Sequence, residues 1–303
     1  MSRCPVCGEG NTRDVAPFRY KTPIFAACAR AECAECGMVF ASPMPDGAIL
    51  SSYNASYFAS AHGGQPRSRS AVAFLSAVAR LRLAFVQGFL AKHRIGVERV
   101  LEFGPGPGFF ARSWLESVPQ SAYSAVETDR SCHDSLRRLG VALVPTAADV
   151  VSDLVVMSHV LEHVPDPVSF IRIATQALRP GGAIFIEVPC RDWEHKDLDE
   201  PHVLFFDKEP MRRLLSALGF VDVSVSYHGQ RLSELAARPS LHARLVQIRG
   251  KLISLGWVAP FAKKRLGMES LKDPLERAVV APFKAHEEST EPAWWLRAVA
   301  RKA

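Results

Sequence analysis

The stretch Val100-Leu101-Glu102-Phe103-Gly104-Pro105-Gly106-Pro107-Gly108-Phe109 constrains this chain most. An apolar run ends in an acid, three glycines stand at alternate positions, and an aromatic pair opens a helical pattern. That order describes a strand, a tight turn and a helix start. Glycine lets the backbone turn sharply and approach a ligand, and the helix aims free N–H groups at the turn. A glycine triplet alone fits an ordinary loop as well as a nucleotide-binding turn, so its meaning depends on the residues C-terminal to it.

Beyond the triplet, strands and helices alternate. Strands are expected at 100–103, 122–126, 141–144, 153–157, 183–188 and 220–227, with helices at 109–118, 131–139, 168–178 and 209–218 between them. Apolar residues at Val72, Leu75, Val78, Leu81 and Phe85 predict a long connector helix over 68–94, stopped by Gly96. Alternating elements of this kind build a parallel sheet covered on both faces, with ligands beyond the carboxyl ends of the strands. Glu127 lies just past the second strand, about 20 residues beyond the glycine turn, where a carboxylate accepts hydrogen bonds from two ribose hydroxyls.

Two nucleotide ligands fit this much, a dinucleotide or S-adenosylmethionine (SAM). Pro105 and Pro107 each remove an N–H that could hold a phosphate, which weakens the pyrophosphate alternative. The stretch Ser158-His159-Val160-Leu161-Glu162-His163-Val164-Pro165-Asp166-Pro167 after the fourth strand has no counterpart in a dehydrogenase.

Five of the seven cysteines lie in the first 36 residues. Cys4-Pro5-Val6-Cys7-Gly8 and Cys33-Ala34-Glu35-Cys36-Gly37 are each C-x-x-C-G, so Cys4, Cys7, Cys33 and Cys36 form a tetrahedral thiolate set suited to structural zinc. Cys28 falls outside the spacing. So small a segment has little core of its own, and the metal would hold it folded. Next comes Tyr53-Asn54-Ala55-Ser56-Tyr57-Phe58, where Tyr53 and Tyr57 either pack between domains or face substrate.

The net charge of +6 is unevenly placed. Residues 1–229 carry 23 Lys and Arg against 24 Asp and Glu, whereas residues 230–303 carry 14 against 7. The balanced first part argues against a nucleic-acid surface, which requires cations facing phosphates. No apolar run reaches the roughly 18 residues of a membrane span, and the N-terminus shows no apolar signal core, so a cytoplasmic location is expected.

Together, Val100–Gly108, Glu127, Ser158–Pro167 and Leu178-Arg179-Pro180-Gly181-Gly182 resemble the class I SAM-dependent methyltransferases. The resemblance covers about residues 98–228. It implies an α/β fold, a doubly wound, seven-stranded Rossmann-like sheet. It further implies cofactor roles for Glu102, Gly104, Gly106, Gly108, Glu127, Ser158 and His159, with Asp149 near the adenine. The cysteine module, with Pro43, Pro45, Tyr53 and Tyr57-Phe58, resembles that of sugar C-methyltransferases acting on nucleotide-linked deoxysugars. Those enzymes carry a histidine after strand 5, matched here by His202, although Pro201 stands where they have an acid. His202 is thus the expected general base, with Tyr53 and Tyr57 beside the acceptor.

The expected organisation is a zinc ribbon (1–42), a linker and connector helix (43–97), a SAM-binding core (98–229), a helical insertion (230–291) and a final core strand (292–303). The insertion carries Leu241, Leu245, Ile248, Leu252 and Leu255 on one face, with Arg244, Arg249 and Lys251 elsewhere. It would cover the fold, mediate a homodimer, or touch an anionic membrane through 241–257. The implied activity is methylation of a small molecule, a sugar or nucleotide-linked sugar, at carbon or oxygen. The alternatives are an RNA methyltransferase that grips RNA with the ribbon, and a non-catalytic binding protein.

Overall fold

The structure is a computed structural model that describes residues 2–61, 69–237 and 288–303, together with Ile248, Leu252 and Leu255. Its centre is a mixed sheet in which β4 (Arg99–Phe103), β5 (Ala122–Val126), β6 (Ala142–Leu143), β7 (Ser152–Ser158) and β8 (Leu178–Pro189) run parallel. β10 (Phe220–Arg231), β11 (Glu288–Ser289) and β12 (Ala293–Lys302) complete it, in the order β11-β10-β12-β8-β7-β4-β5-β6. The C-terminal strand β12 inserts antiparallel between β8 and β10. Among the described residues this sheet has eight strands where seven were expected, because the two residues of β11 pair with Tyr227 and His228.

The central strands are buried on both faces, so they read as continuous apolar runs rather than alternating ones. Leu154, Val156 and Phe185 pack on one side with Trp114 of α3 (Phe109–Ser117) and with Val86 and Phe89 of α2 (Arg69–His93). Val155, Met157, Ile184 and Ile186 face the other side. There they meet Ile171 of α5 (Pro167–Ala177) and Met211 and Leu214 of α6 (Lys208–Ala217). Helix starts are marked chemically: Asp166 caps α5 by accepting from Ser169 N–H, and Pro167 occupies its first turn.

Several boundaries differ from expectation. The third core strand shrinks to Ala142–Leu143, because an edge strand is held from one side only. β8 starts at Leu178 instead of 183, carrying Pro180-Gly181-Gly182 as an irregularity in its pairing with β7. β10 continues past Tyr227 to Arg231 because β12 pairs along its whole length. Apart from Ile248, Leu252 and Leu255, the expected insertion helix lies outside the described residues.

The N-terminal segment forms a second sheet of β1 (Thr12–Pro17), β2 (Ala29–Cys33) and β3 (Val39–Ser42). Its fourth strand comes from far along the chain: β9 (Leu204–Phe205) pairs antiparallel with β3. The ribbon is therefore hydrogen-bonded to the segment beyond β8. Ion pairs reinforce the junction: Arg19 Nη2 lies 2.6 Å from Asp199 Oδ1, and Arg30 Nε lies 3.5 Å from Asp199 Oδ2. Thr22 N–H also donates to Glu200 at 2.9 Å. No helix among the described residues is long and apolar enough to cross a membrane.

Candidate functional site

The strand order reverses at β4, which has β5 on one side and β7 on the other. Crevices in such sheets open at the carboxyl ends of strands on either side of a reversal. The glycine turn lies there. Gly104 has φ of +63°, and a Cβ on it would stand 2.7 Å from Val160 Cγ2 in the loop after β7. Any side chain at Gly104 would therefore collide across the crevice in a backbone conformation it disfavours. Gly108 opens α3 at φ of +84°, where a Cβ would meet Leu139 and Leu136 at 2.8 and 2.9 Å.

Glu127 closes this turn from the end of β5. Its Oε2 accepts from Gly106 N–H at 2.8 Å and its Oε1 accepts from Asp129 N–H at 2.7 Å. Burial pushes its carboxyl above the ordinary value, opposed by these two backbone donors. Glu102 lies deeper, 2% exposed, where its Oε2 accepts from the Tyr123 hydroxyl at 2.6 Å. Burial raises its carboxyl to about 7, against the Tyr123 hydrogen bond and the Arg82 charge. Two acids thus line one turn, one wholly buried and one at the rim.

Ser158 and His159 lie at the end of β7 on the same edge. The buried Ser158 Oγ has no hydrogen-bond partner among the described residues. His159 has φ of +57° and donates its N–H to the Glu187 carbonyl at 2.8 Å. Its ring stands between two carboxylates, 3.3 Å from Glu162 Oε1 and 3.3 Å from Glu187 Oε1. Burial alone would depress this imidazole, but the Glu162 and Glu187 carboxylates beside it reverse the shift to upward. Asp149 lies exposed in the segment between β6 and β7.

The loop after β8 carries His202 to the same edge. Val203 N–H donates to the Glu162 carbonyl at 2.9 Å, which ties this loop to the one after β7. His202 is 7% exposed, its Nδ1 lies 2.6 Å from Asp192 Oδ2, and its ring meets the His163 ring edge-on at 4.8 Å. Lys196 Nζ meets the same Asp192 oxygen at 2.7 Å and lies 3.5 Å from His202 Nδ1. His163 is held down to about 4, first by burial, with the Glu162 charge acting the other way. The result is a line of acids and imidazoles from Glu187 through His159, Glu162, His163 and His202 to Asp192, with the two histidines His163 and His202 adjacent.

The structure brings Glu102, Gly104, Gly106, Gly108, Glu127, Ser158, His159 and His202 to the carboxyl edge of the sheet. Tyr53 is placed differently. Its ring packs edge-on against Phe25 of the ribbon at 5.6 Å, and the Thr22 side chain bonds its hydroxyl. The Tyr57 side chain lies outside the described ones. A cleft between α2, α3 and α4 (His133–Arg138), lined by Pro107, Phe109, Arg112 and Arg138, contains none of the edge residues.

Sequence reasoning missed Glu187, Arg297, Arg82 and Asp192. Glu187 is 0% exposed and is paired by Arg297 Nε at 2.7 Å and by Arg82 Nε at 2.7 Å. A charge inside the apolar runs Ala183–Val188 and Trp294–Val299 was the available signal, because lone charges are rarely buried unpaired. Asp192 had no signal, since only the folded loop sets it beside His202.

In the ribbon, the sulfurs of Cys4, Cys7, Cys33 and Cys36 lie within 4.8 Å of one another. Cys4–Cys36 and Cys7–Cys33 are each 3.6 Å apart. Four sulfurs at about 2.3 Å from one zinc ion are spaced by about 3.8 Å, so the set fits a tetrahedral metal with little movement. Gly8 N–H donates to the Cys4 carbonyl and Gly37 N–H to the Cys33 carbonyl, each at 2.9 Å, which forms the two matching knuckles. Cys28 stands apart and donates to the Pro43 carbonyl at 3.3 Å.

Residues 71–225 match the family described as methyltransferase domain. The chain belongs to that methyltransferase family. A segment of 96 residues is 32% identical to the probable S-adenosylmethionine-dependent methyltransferase Rv3030 of Mycobacterium tuberculosis, covering 30% of this chain and 35% of that protein. The chain thus spans about a third of the length of the curated relatives it matches. The plantazolicin methyltransferase BpumL, solved in complex with SAH, is 12% identical with a TM-score of 0.49, covering 84% of this chain and 95% of that one. A SAM-dependent methyltransferase from Archaeoglobus fulgidus is 16% identical with a TM-score of 0.44, covering 72% of this chain and 94% of that one.

Proposed function

We propose that this chain is a SAM-dependent methyltransferase acting on a small-molecule acceptor, a sugar or nucleotide-linked sugar, at carbon or oxygen. The observation that carries it is the turn at the strand reversal. There Gly104 leaves room against Val160, Pro105 and Pro107 withhold phosphate donors, and Glu127 holds Gly106 N–H at 2.8 Å. The orphaned Ser158 Oγ supports a ligand at this edge, because buried polar atoms otherwise find partners.

SAM supplies an electrophilic methyl group on a sulfonium and leaves as the thioether. The protein's task is then mainly alignment. Glu127 keeps a carboxylate at the rim for ribose hydroxyls while bracing the turn. Glu102, buried beneath it, offers the negative charge that a cationic cofactor would meet. Ser158 and His159 border the reacting centre. The acceptor must also lose a proton, and we place that task on His202 and the group it belongs to, with Asp192 fixing its ring. Tyr53 supports the ribbon against α1 (Gly47–Ala61), and a substrate role is left to Tyr57.

The cysteine set fits structural zinc, because four protein ligands leave no open position. The ribbon's arginines support a small acceptor over RNA. Arg13 pairs with Glu32, while Arg19 and Arg30 share Asp199, so each of these cations already faces a carboxylate. The test is transfer of labelled methyl from SAM to a panel of nucleotide sugars, free sugars and RNA. Label is expected in the sugar pool; label in RNA alone, or in nothing, would overturn the proposal.

A further inference from the structure

Apart from the cysteines, the described residues contain one more group able to hold a metal. Glu162, His163 and His202 each bring a ligand atom within 4.8 Å of the others. Donors around an ion at about 2.1 Å stand about 3 to 4 Å apart, so small side-chain movements close the set on one ion. Glu162 is 1% exposed, and neither of its carboxylate oxygens has a hydrogen-bond partner among the described residues. Its nearest basic atoms are His159 Nδ1 at 3.3 Å and His163 Nε2 at 4.0 Å. A buried carboxylate with no hydrogen bond is among the costliest groups to bury unless a cation answers it.

The surroundings of the two imidazoles point the same way. His202 Nδ1 faces Asp192 Oδ2 at 2.6 Å, and His163 Nδ1 faces the Pro201 carbonyl at 3.3 Å. Donation outward from Nδ1 leaves Nε2 with its lone pair, the tautomer that a metal-bound histidine needs, fixed by the outer partners that such ligands carry. Two loops converge to make the set. Glu162 and His163 come from the turn after β7, and His202 comes from the loop after β8, joined by the Val203–Glu162 backbone hydrogen bond at 2.9 Å.

We infer that Glu162, His163 and His202 hold a divalent first-row metal ion at the acceptor side of the site, separate from the cysteine set. Two imidazoles and one carboxylate suit such an ion, and three protein ligands leave positions open for an oxygen of the acceptor. A hydroxyl bound there gives up its proton to water more readily than a free one, so His202 acts on the acceptor proton through the ion and is not itself the base. Only this last step rests on the methyltransferase proposal; the ion site stands on the three side chains.

Metal binding by the full chain, without SAM, is the test. Zinc-loaded protein freed of loosely held ions is titrated with Mn2+, followed by loss of the free-ion electron paramagnetic resonance signal, and in parallel with Co2+, followed by absorbance. One further ion per chain is expected, with the zinc content unchanged. Glu162→Gln and His202→Asn should abolish it. Asp192→Asn should weaken it by about 10- to 100-fold through loss of the outer partner. Circular dichroism and zinc content identify folded variants, and His163→Gln replaces any that fails to fold. Uptake of neither Mn2+ nor Co2+ by the wild-type chain, or wild-type uptake by folded Glu162→Gln, overturns the inference. Ion binding by a chain that transfers no methyl group would overturn the proposed function and leave this site standing.

Discussion

Glu102→Gln isolates what the buried acid costs and what it is for. The carboxyl is 2% exposed and its pKa stands near 7, against an ordinary 4.5. Tyr123 on β5, Arg82 on α2 and Glu127 beyond β5 are the groups that face it. Because the folded value is raised, the fold holds this proton more tightly than the unfolded chain does. Stability is therefore lost as pH rises from about 4.5 to about 7, and the loss is complete above that. A shift of about 2.5 units corresponds to about 3 kcal/mol at pH 8 and under about 1 kcal/mol at pH 5. Glutamine keeps an acceptor for the Tyr123 hydroxyl and carries no charge to desolvate. The variant should therefore exceed wild type by about 3 kcal/mol at pH 8, with most of the gain gone at pH 5. Urea unfolding of zinc-replete protein at the two pH values measures the difference, and other titrating groups cancel between the two proteins. The same variant should bind SAM more weakly, since the negative charge is lost. A gain that is absent at pH 8, or equal at both pH values, refutes the assignment of a raised carboxyl to Glu102.

Other expectations rest on single contacts. Glu127→Gln removes the charge that accepts from Gly106 and Asp129 and would accept from ribose. SAM affinity should fall by about 2 kcal/mol, or roughly 30-fold, by calorimetry. Cys36→Ser should reduce zinc from one equivalent to a substoichiometric level and expose the β3–β9 junction to proteolysis, measured by elemental analysis and timed digestion; full zinc retention would contradict the four-cysteine site. Arg19→Ala leaves the Asp199 carboxylate, 0% exposed in its side chain, with the backbone N–H of residue 19 at 2.7 Å and Arg30 at 3.5 Å. A loss of about 2 kcal/mol is expected from the charge-assisted bonds removed, and an unchanged unfolding midpoint would argue against it. His202→Ala should abolish methyl transfer and leave SAM binding intact, and retained turnover would remove His202 from the chemistry.

The fold was readable in outline because its signals are local. Apolar runs of strand length, proline-glycine breaks and helical spacing in α2 and α3 fixed element type and order. The tail Ala293–Lys302 could be read as a strand because Trp294, Trp295, Leu296 and Val299 form a short apolar run of strand length. The carboxyl edge on which the proposed cofactor site rests was readable for the same reason: Glu102, Gly104, Glu127, Ser158 and His159 each lie at or just past the end of a strand. What depends on pairing across the chain was not readable. β9 is two residues long, and its pairing with β3 joins segments separated by more than 160 positions. The Arg82–Glu187–Arg297 pairs and the Asp192–His202 contact are likewise long-range or loop-made. Tyr53 shows the limit of residue type as evidence. An aromatic hydroxyl near a site can serve packing, and here Phe25 and Thr22 occupy it.

The central claim is that the turn from Gly104 to Gly108, closed by Glu127, is a SAM site. Calorimetric titration of SAM into the zinc-replete full chain, beside Gly104→Val, tests it most directly. Valine would set its Cβ 2.7 Å from Val160 Cγ2 and fill the crevice at the strand reversal. One SAM per wild-type chain, and none in a folded Gly104→Val variant, is the result expected. No binding by the wild-type chain, or equal binding by the variant, would contradict it.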